Sequence, residues 1–431
     1  MDILSTNTIV VFLDIIGQAF ATTWFIVLPF LFYFIFKIVW LDYVKDDYWS
    51  KIEWDVLEII PPNDIEETPQ AMEMVFAGLL GSMKGINVIE ENVKGETPMY
   101  FSLELVSIEG VVHFYIRTPK SFKALIESHI HSQYPTAIVE TVSDYVDDIP
   151  KIIPNKNWDL WGTDFRLDKP DPYPIKTYRW FEEDVTGKVL DPLASLIESI
   201  GKIGPQQYFW LQLVITPKDA KEYDTGKKLA EELAGREVKK TQNFIEKYLF
   251  GWLTVINDFI ANLIGMPVES GNGDDGGVDV PLEFKMTPGE KEVLKQIEEG
   301  IGKSAFNVKM RIIYTGRREN FNKVVVGSFM GGIKQFSDAN LNGFAPDNNS
   351  KTYALHLFTE TRMKYRQRKI LRRYRDRDRD GVTFHLNTEE LATVFHLPTI
   401  NVATPVLQKV NVKTGSAPAN LPIEPIEESN K

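Results

Sequence analysis

The sequence predicts an α+β protein: an N-terminal transmembrane helix followed by two ferredoxin-like (split βαβ) units and a C-terminal extended tail. Three observations predict this class: an apolar run over residues 19–40, a βαββαβ series of patterns over 54–142, and a second, interrupted series over 158–336. Hydrophobic residues make up 43% of the 431 residues, which is ordinary for globular domains. The part that follows the run is therefore long enough for two or three domains.

The apolar run, AFATTWFIVLPFLFYFIFKIVW, has about the 20 residues that a helix needs to cross the hydrocarbon core of a bilayer. Lys37 lies near its end, where a long side chain reaches the headgroups. Pro29 is tolerated in a membrane helix, and Trp24 and Trp40 occupy expected interfacial positions. These four residues define the predicted membrane anchor, with membrane lipid as its partner.

The flanks of the run predict its orientation. Lys37, Lys45 and Lys51 lie on its C-terminal side and no basic residue precedes it, so the bulk of the chain is expected in the cytoplasm. The predicted location is the bacterial inner (plasma) membrane, crossed once. Residues 9–16 are also apolar and either extend the helix or lie on the outer surface. A cleaved signal peptide fits less well, since no small-residue cleavage site follows Trp40.

The first βαββαβ series follows the run. Strand patterns cover 54–60, 99–108, 111–117 and 137–142, and helical spacing covers 69–80 and 122–134. Thr68 and Pro69 are typical of a helix start. Glu109-Gly110 is a short hairpin signal. This order is that of a split βαβ unit.

The second series has strand patterns over 161–167, 208–216 and 308–315 and helical patterns over 191–203 and 318–336. A long insertion separates two of its strands. The predicted organisation is therefore an anchor (1–45), a first ferredoxin-like domain (50–150), a second one (158–350) with an insertion at about 217–288, a basic segment with a short helix (351–400), and an extended tail (401–431).

Within the insertion, residues 244–264 place Leu249, Trp252, Ile256 and Phe259 on one helical face, at spacings of three and four. Two interpretations remain open. The helix packs on its own domain or on a second copy of the protein, so a homo-oligomer is one of the alternatives, or it lies at the membrane interface. The sequence GNGDDGG over 271–277 is typical of a flexible linker.

A densely basic segment, RMKYRQRKILRRYRDRDR, covers residues 362–379 and ends in a pattern typical of a solvated turn. Such a segment contacts DNA phosphates, acidic headgroups or an acidic protein surface, or forms a solvated face whose charges compensate one another. The net charge of −12 restricts any contact with nucleic acid to this region, and direct DNA contact remains open. The candidate contact residues are Arg366, Arg368, Lys369, Arg372, Arg373 and Arg375.

No motif predicts catalysis, a cofactor or a metal. Gly302-Lys303-Ser304 resembles the end of a phosphate-binding loop, but Ile297 replaces the required glycine and a helix precedes a strand, which is the reverse of the loop's order. His129 and His131 are two apart on a helix and point to different faces. With no cysteine, thiolate chemistry and cysteine-bound metals are excluded.

Three stretches carry a resemblance to a known family: residues 55–81 (DVLEIIPPNDIEETPQAMEMVFAGLLG), 111–146 and 387–399 (NTEELATVFHLPT). Its most specific pieces are Gln133-Tyr134-Pro135, Asp144-Tyr145 and residues 389–392 (EELA). They resemble the membrane-anchored N-terminal region of bacterial proteins similar to type IV secretion and conjugative DNA-transfer ATPases. In that family an anchor and paired ferredoxin-like domains precede a motor domain, whereas no Walker A or B sequence occurs here.

The resemblance implies a non-enzymatic platform or adaptor of a type IV secretion-like, conjugative DNA-transfer machine, which recruits a separately encoded ATPase. The alternative is a membrane-tethered nucleic-acid-binding module that uses the basic segment. A third hypothesis is an enzyme with an unrecognised carboxylate site, because acidic residues are plentiful but scattered.

Overall fold

The computed structural model describes residues 4–62, 67–182, 190–218, 224–233 and 286–399. In these ranges the chain forms eleven α-helices and nine strands, and the protein is α+β. The predicted helix face of Leu249, Trp252, Ile256 and Phe259, the linker 271–277 and the tail 401–431 lie outside the described residues.

The strands are β1 (Trp54–Ile60), β2 (Phe101–Ile108), β3 (Val111–Pro119), β4 (Ile138–Val142), β5 (Trp158–Leu167), β6 (Gln207–Pro217), β7 (Ala305–Arg317), β8 (Phe344–Pro346) and β9 (Phe384–Asn387). The helices are α1 (Leu4–Ser50), α2 (Pro69–Leu79), α3 (Val88–Val93), α4 (Lys123–Gln133), α5 (Arg179–Glu182), α6 (Ala194–Gly201), α7 (Asp224–Leu233), α8 (Pro288–Ile301), α9 (Val324–Ile333), α10 (Thr359–Arg375) and α11 (Thr388–Val394).

All nine strands belong to one antiparallel sheet with the order β4-β1-β3-β2-β6-β7-β5-β8, and β9 extends it beside β7. Each half of the sheet has the strand order of a split βαβ unit, and the two orders mirror each other. The halves meet where β2 pairs with β6, from Phe101 opposite Ile215 to Ile108 opposite Tyr208. The two units therefore share one continuous sheet.

Both faces of the sheet are covered, which explains why β2 is buried along almost its whole length instead of alternating. One face packs against α2, α4, α6, α9 and α11, with Phe101, Leu103 and Leu105 pointing into that core. The other face packs against α10 and residues 145–153. On this second face β2 places the polar Ser102 and Glu104 beside the apolar Val106, and Glu104 is fully buried.

Local signals fix several helix ends. Thr287 and Glu290 form a reciprocal capping box at the start of α8, and Asn387 and Glu390 form another at the start of α11. The hairpin between β2 and β3 turns at Gly110, whose φ of 95° is in the region that favours glycine. An added Cβ at Gly110 would lie 2.8 Å from the carbonyl oxygen of Ile203.

The predicted transmembrane helix is wrong, and with it the predicted fold class. Within the ranges that the structure describes, no helix is both long and apolar enough to cross a membrane. The apolar run lies inside α1, which is 47 residues long and continues into the acidic turn containing Asp46 and Asp47. The predicted single-pass location in the bacterial inner membrane, with a cytoplasmic C-terminal domain, depended on this helix and is not supported either.

The physical reason for the error lies at the C-terminal end of α1, which is part of the folded domain. Trp40, assigned to a membrane interface, donates a hydrogen bond from Nε1 to the carbonyl oxygen of Asn92 at 2.9 Å. Val44 is buried, and the guanidinium of Arg379 lies 5.0 Å from the ring centroid of Trp49. The number of apolar residues in a stretch of sequence does not reveal such long-range contacts.

Candidate partner-binding surface on helix α10

The basic segment forms α10, an amphipathic helix with one buried face. Gln367, Ile370, Leu371 and Tyr374 are buried at helical spacing and pack toward β5 and β7. The remaining positions are mostly Arg, Lys and other polar residues. Because one face of α10 packs on the sheet, some of its cationic side chains lie beside the sheet and the others lie in water.

Three of the six predicted contact residues are used inside the protein. Arg366 donates to the carbonyl oxygens of residues 348, 351 and 353. Arg373 forms an ion pair with Asp378 at 3.2 Å. Arg375 donates to the carbonyl oxygens of residues 146 and 149. Their charges hold loops against α10 and are poorly placed to meet a partner.

The other three predicted residues are Arg368, Lys369 and Arg372, and the ammonium group of Lys369 lies 6.0 Å from the ring centroid of Tyr365. Arg368 and Arg372 are exposed and four positions apart, so they lie on one face of the helix, and Lys369 is half-buried beside them. Within the described part of the chain, none of these three side chains makes a hydrogen bond or an ion pair. Arg368 and Arg372 thus form the outward cationic stripe of α10.

An exposed apolar loop leads into this stripe. The exposed fractions of Leu355, Leu357 and Phe358 are 56%, 79% and 80%, and Tyr353 and Tyr365 are also more than half exposed. We call these five residues the apolar knuckle. Phe358 has a φ of 56°, an uncommon conformation for a bulky residue, at the position where α10 begins. Large apolar side chains held together in water mark an interaction site more often than scattered ones do.

A buried ionic network fixes the C-terminal end of α10. Arg377, which the sequence assigned to a solvated turn, is 1% exposed and donates from Nε to Glu104 at 2.9 Å and from Nη1 to Asp144 at 2.6 Å. Tyr145 donates to the same Glu104 carboxylate at 2.8 Å. Burial alone raises the pKa of Glu104, but the charge and hydrogen bonds of Arg377 outweigh it, so the pKa lies below its ordinary value.

The signal that sequence reasoning missed is Glu104 itself. A charge in the middle of FSLELVSI, a strand that is buried along almost its whole length, requires a buried partner, because an unpaired carboxylate is too costly there. The partner, Arg377, is 273 positions away in the chain. The sequence therefore indicates that Glu104 needs a cationic partner but does not identify which residue it is.

A second ionic cluster lies on the opposite face of the sheet. Lys303, from the discarded phosphate-binding motif, donates to Glu73 Oε1 at 2.9 Å and also contacts Glu389. Gly302 ends α8, and β7 follows, which is the element order predicted for this stretch. Lys303 therefore ties α2, α8 and α11 together.

The histidines occupy separate environments. His385 lies 2.7 Å from Asp171, and His396 lies 3.1 Å from Asp191. No group of three or more His, Cys, Asp or Glu residues in the described ranges is placed to hold a metal ion.

Comparison with models of known families found a match. The model of a family described as Domain of unknown function (DUF8128) matches residues 48–410. The chain belongs to the DUF8128 family. A search of curated proteins found no match. The match covers all nine strands of this DUF8128 chain and both α10 and the apolar knuckle, and it begins at the end of α1.

The comparisons assign no function to this chain. The DUF8128 description assigns no function, and nothing found links the chain to type IV secretion, conjugation or DNA transfer. The prediction of a transmembrane helix is wrong for the reason given above. The residues of the predicted anchor lie on α1: Trp24, Pro29 and Lys37 are exposed, and Trp40 contacts the domain.

Proposed function

We propose that this protein is a non-catalytic platform that binds an acidic protein partner on the outward face of α10. The observation that carries the proposal is the juxtaposition of two unpaired, exposed arginines with the exposed apolar knuckle. A separately encoded ATPase is the partner that the family resemblance implies, and it remains part of the proposal.

Charge favours an acidic protein over nucleic acid. The chain carries a net charge of −12, so its overall field repels a long polyanion, whereas the stripe of Arg368 and Arg372 attracts an acidic patch locally. Complementary charge steers encounter between two proteins even when the contact is small. Nucleic acid binding rests on many neutralised phosphates, and most cations of α10 are already used internally.

The apolar knuckle favours the same partner. The centres of protein interfaces are enriched in aromatic residues and Arg and are surrounded by a polar rim. Protein–DNA interfaces are more polar and more positively charged. Leu357 and Phe358, each about four-fifths exposed, supply the apolar centre of the proposed interface, and Arg368 and Arg372 supply its cationic rim.

The test is purification of the tagged full chain from cells of its source organism, with a Walker-type ATPase as the expected partner. We expect co-purification that is lost in Arg368→Gln/Arg372→Gln and in Phe358→Ser. The matched control is Lys202→Gln/Lys295→Gln, which removes the same charge from exposed lysines elsewhere and should leave binding unchanged. Partner binding that survives both α10 variants would contradict the proposal.

Two further measurements identify a wrong partner class. A dissociation constant for duplex DNA below about 1 μM at physiological salt, tighter than the roughly 100 to 1 μM of non-specific binding, would favour the nucleic-acid hypothesis. Sedimentation of the chain alone tests a second copy as the partner. Self-association that the double arginine variant abolishes would overturn the proposal of a separate protein.

A further inference from the structure

A cavity of about 270 Å³ lies beside α10. Arg366, Lys369 and Arg373, spaced three and four apart, line it from the helix. The opposite wall is formed by the loop 347–350 and by Gly381 and Val382, and Asp164 lies at its floor. We call this cavity the cationic pocket.

The floor of the cationic pocket holds more positive than negative charge. The carboxylate of Asp164 lies 2.8 Å from Lys309, 3.3 Å from Arg311 and 4.0 Å from Arg373. Lys309, Arg311 and Asp164 are at most 2% exposed. Desolvation lowers the pKa of Lys309, and Asp164 only partly offsets it. Three cationic groups therefore lie within 4.0 Å of this one carboxylate.

The walls add to this excess. Within the described ranges Lys369 has no hydrogen bond or ion pair, and Arg366 meets only main-chain carbonyl oxygens. Asp347 is occupied by the N–H groups of residues 349 and 350, and Asp378 pairs with Arg373. Arg366, Lys369 and Arg373 line the cavity with Asp164 and Asp347. With the buried Lys309 and Arg311 next to Asp164, and with Asp378 paired to Arg373, five cations stand against three carboxylates, an excess of two positive charges.

We propose that the cationic pocket binds the phosphate group of a small ligand. A phosphate monoester carries a charge of about −1.5 to −2 near neutral pH, which matches the excess. Arginine guanidinium groups and the lysine ammonium group are the usual hydrogen-bond donors to phosphate. The volume is slightly below the roughly 300 to 1,000 Å³ of pockets for drug-sized ligands, so the ligand is small.

Gly381 adds a geometric observation. It has a φ of 99°, and an added Cβ would lie 3.0 Å from Lys309 Nζ and 3.5 Å from Arg373 Nη1. The absence of a side chain leaves room beside both cationic groups, of which Arg373 lines the cavity and Lys309 is buried next to Asp164. The cavity and the proposed docking face use different cations of α10: Arg366, Lys369 and Arg373 line the cavity, whereas Arg368 and Arg372 form the outward stripe. The two sites are neighbours, because Lys369 Nζ lies 6.0 Å from the ring centroid of Tyr365.

The test is calorimetric titration of the full chain with inorganic phosphate and, separately, with glycerol 3-phosphate at constant ionic strength. We expect a dissociation constant below about 1 mM for at least one of them and a loss of at least tenfold in Lys369→Gln. The adjacent variant Arg368→Gln removes the same charge from the outward stripe and should bind as the wild type does. The two probes separate free phosphate from a phosphomonoester as the ligand.

In the described ranges Lys369 makes no hydrogen bond or ion pair, and its one ring contact, 6.0 Å from the centroid of Tyr365, is with an exposed residue. The Lys369→Gln variant is therefore expected to fold, and its circular dichroism spectrum should match that of the wild type. The absence of saturable binding up to 10-fold above that dissociation constant, about 10 mM, would overturn the proposal. Equal weakening by Lys369→Gln and Arg368→Gln would also overturn it, because it would indicate general electrostatic attraction. Arg368 belongs to the proposed docking face, so this result is distinguishable from failure of the platform function.

Discussion

Replacing Arg377 by Met tests whether the buried network anchors α10 to the sheet. The side chain is 1% exposed and pairs with Glu104, which is 0% exposed, through two hydrogen bonds of 2.9 and 3.1 Å. Removing one partner of a buried pair typically costs about 3 to 5 kcal/mol, because the remaining charge is left without compensation. We expect Arg377→Met to lower the free energy of unfolding by about that amount.

The assay is urea unfolding followed by circular dichroism and Trp fluorescence, since Trp210 packs beside Tyr145 and Tyr374. Arg372→Gln is the control: it removes an exposed arginine from the same helix and should change stability by less than about 0.5 kcal/mol. Glu104→Gln/Arg377→Met should recover part of the loss, because the buried carboxylate is gone. A loss below about 1 kcal/mol in the single Met variant, under a third of the smallest expected cost, would refute the reasoning.

Three further predictions follow from other parts of the sheet. Burial outweighs two main-chain hydrogen bonds and raises the pKa of Glu390 to about 7, so the folded state holds this proton more tightly than the unfolded state does. As the pH rises from about 4.5 to 7, the free energy of unfolding should therefore fall by up to about 1.4 kcal/mol per pH unit. Urea titrations over this range should show a smaller slope in Glu390→Gln. Gly110→Ala should destabilise by about 1 to 3 kcal/mol because of its positive φ and the close carbonyl oxygen, whereas Gly327→Ala in α9, with nothing within 4 Å, should stabilise slightly; equal melting temperatures for the two would contradict this. Lys303→Ala should cost about 1 to 3 kcal/mol by leaving Glu73 uncompensated, and nucleotide affinity that disappears in this variant would reverse our interpretation of the motif.

Local pattern was enough to place several elements. The alternation and length of the apolar runs locate β2 and β3 to within about two residues of their observed ends, a normal boundary error, and Glu109-Gly110 lies at the turn between them. The helix-then-strand order around Lys303 also followed from the sequence. These features depend on neighbours along the chain, so the periods of a helix and a strand suffice to find them.

Tertiary structure decided what the charged residues do. The sequence presented the arginines of residues 362–379 as one basic run, whereas packing of Ile370 and Tyr374 against the sheet turned Arg373 inward and left Arg368 in water. The extended pattern of Gln207–Pro217 does not specify that this strand pairs with Phe101–Ile108 and merges the two units into one sheet. The apolar run of α1 likewise did not reveal that Trp40 contacts the domain.

The sequence by itself determined the position of several helices and strands, β2, β3 and α8 among them, and which positions carry charge, because these depend on local period and composition. Only the tertiary structure decided which charges are compensated, since the partners are far apart in the chain: Glu104 meets Arg377 across 273 positions, and Glu73 meets Lys303 across 230. The energy of a charge depends on burial and on the distance to its partner. Neither quantity exists until the chain has folded.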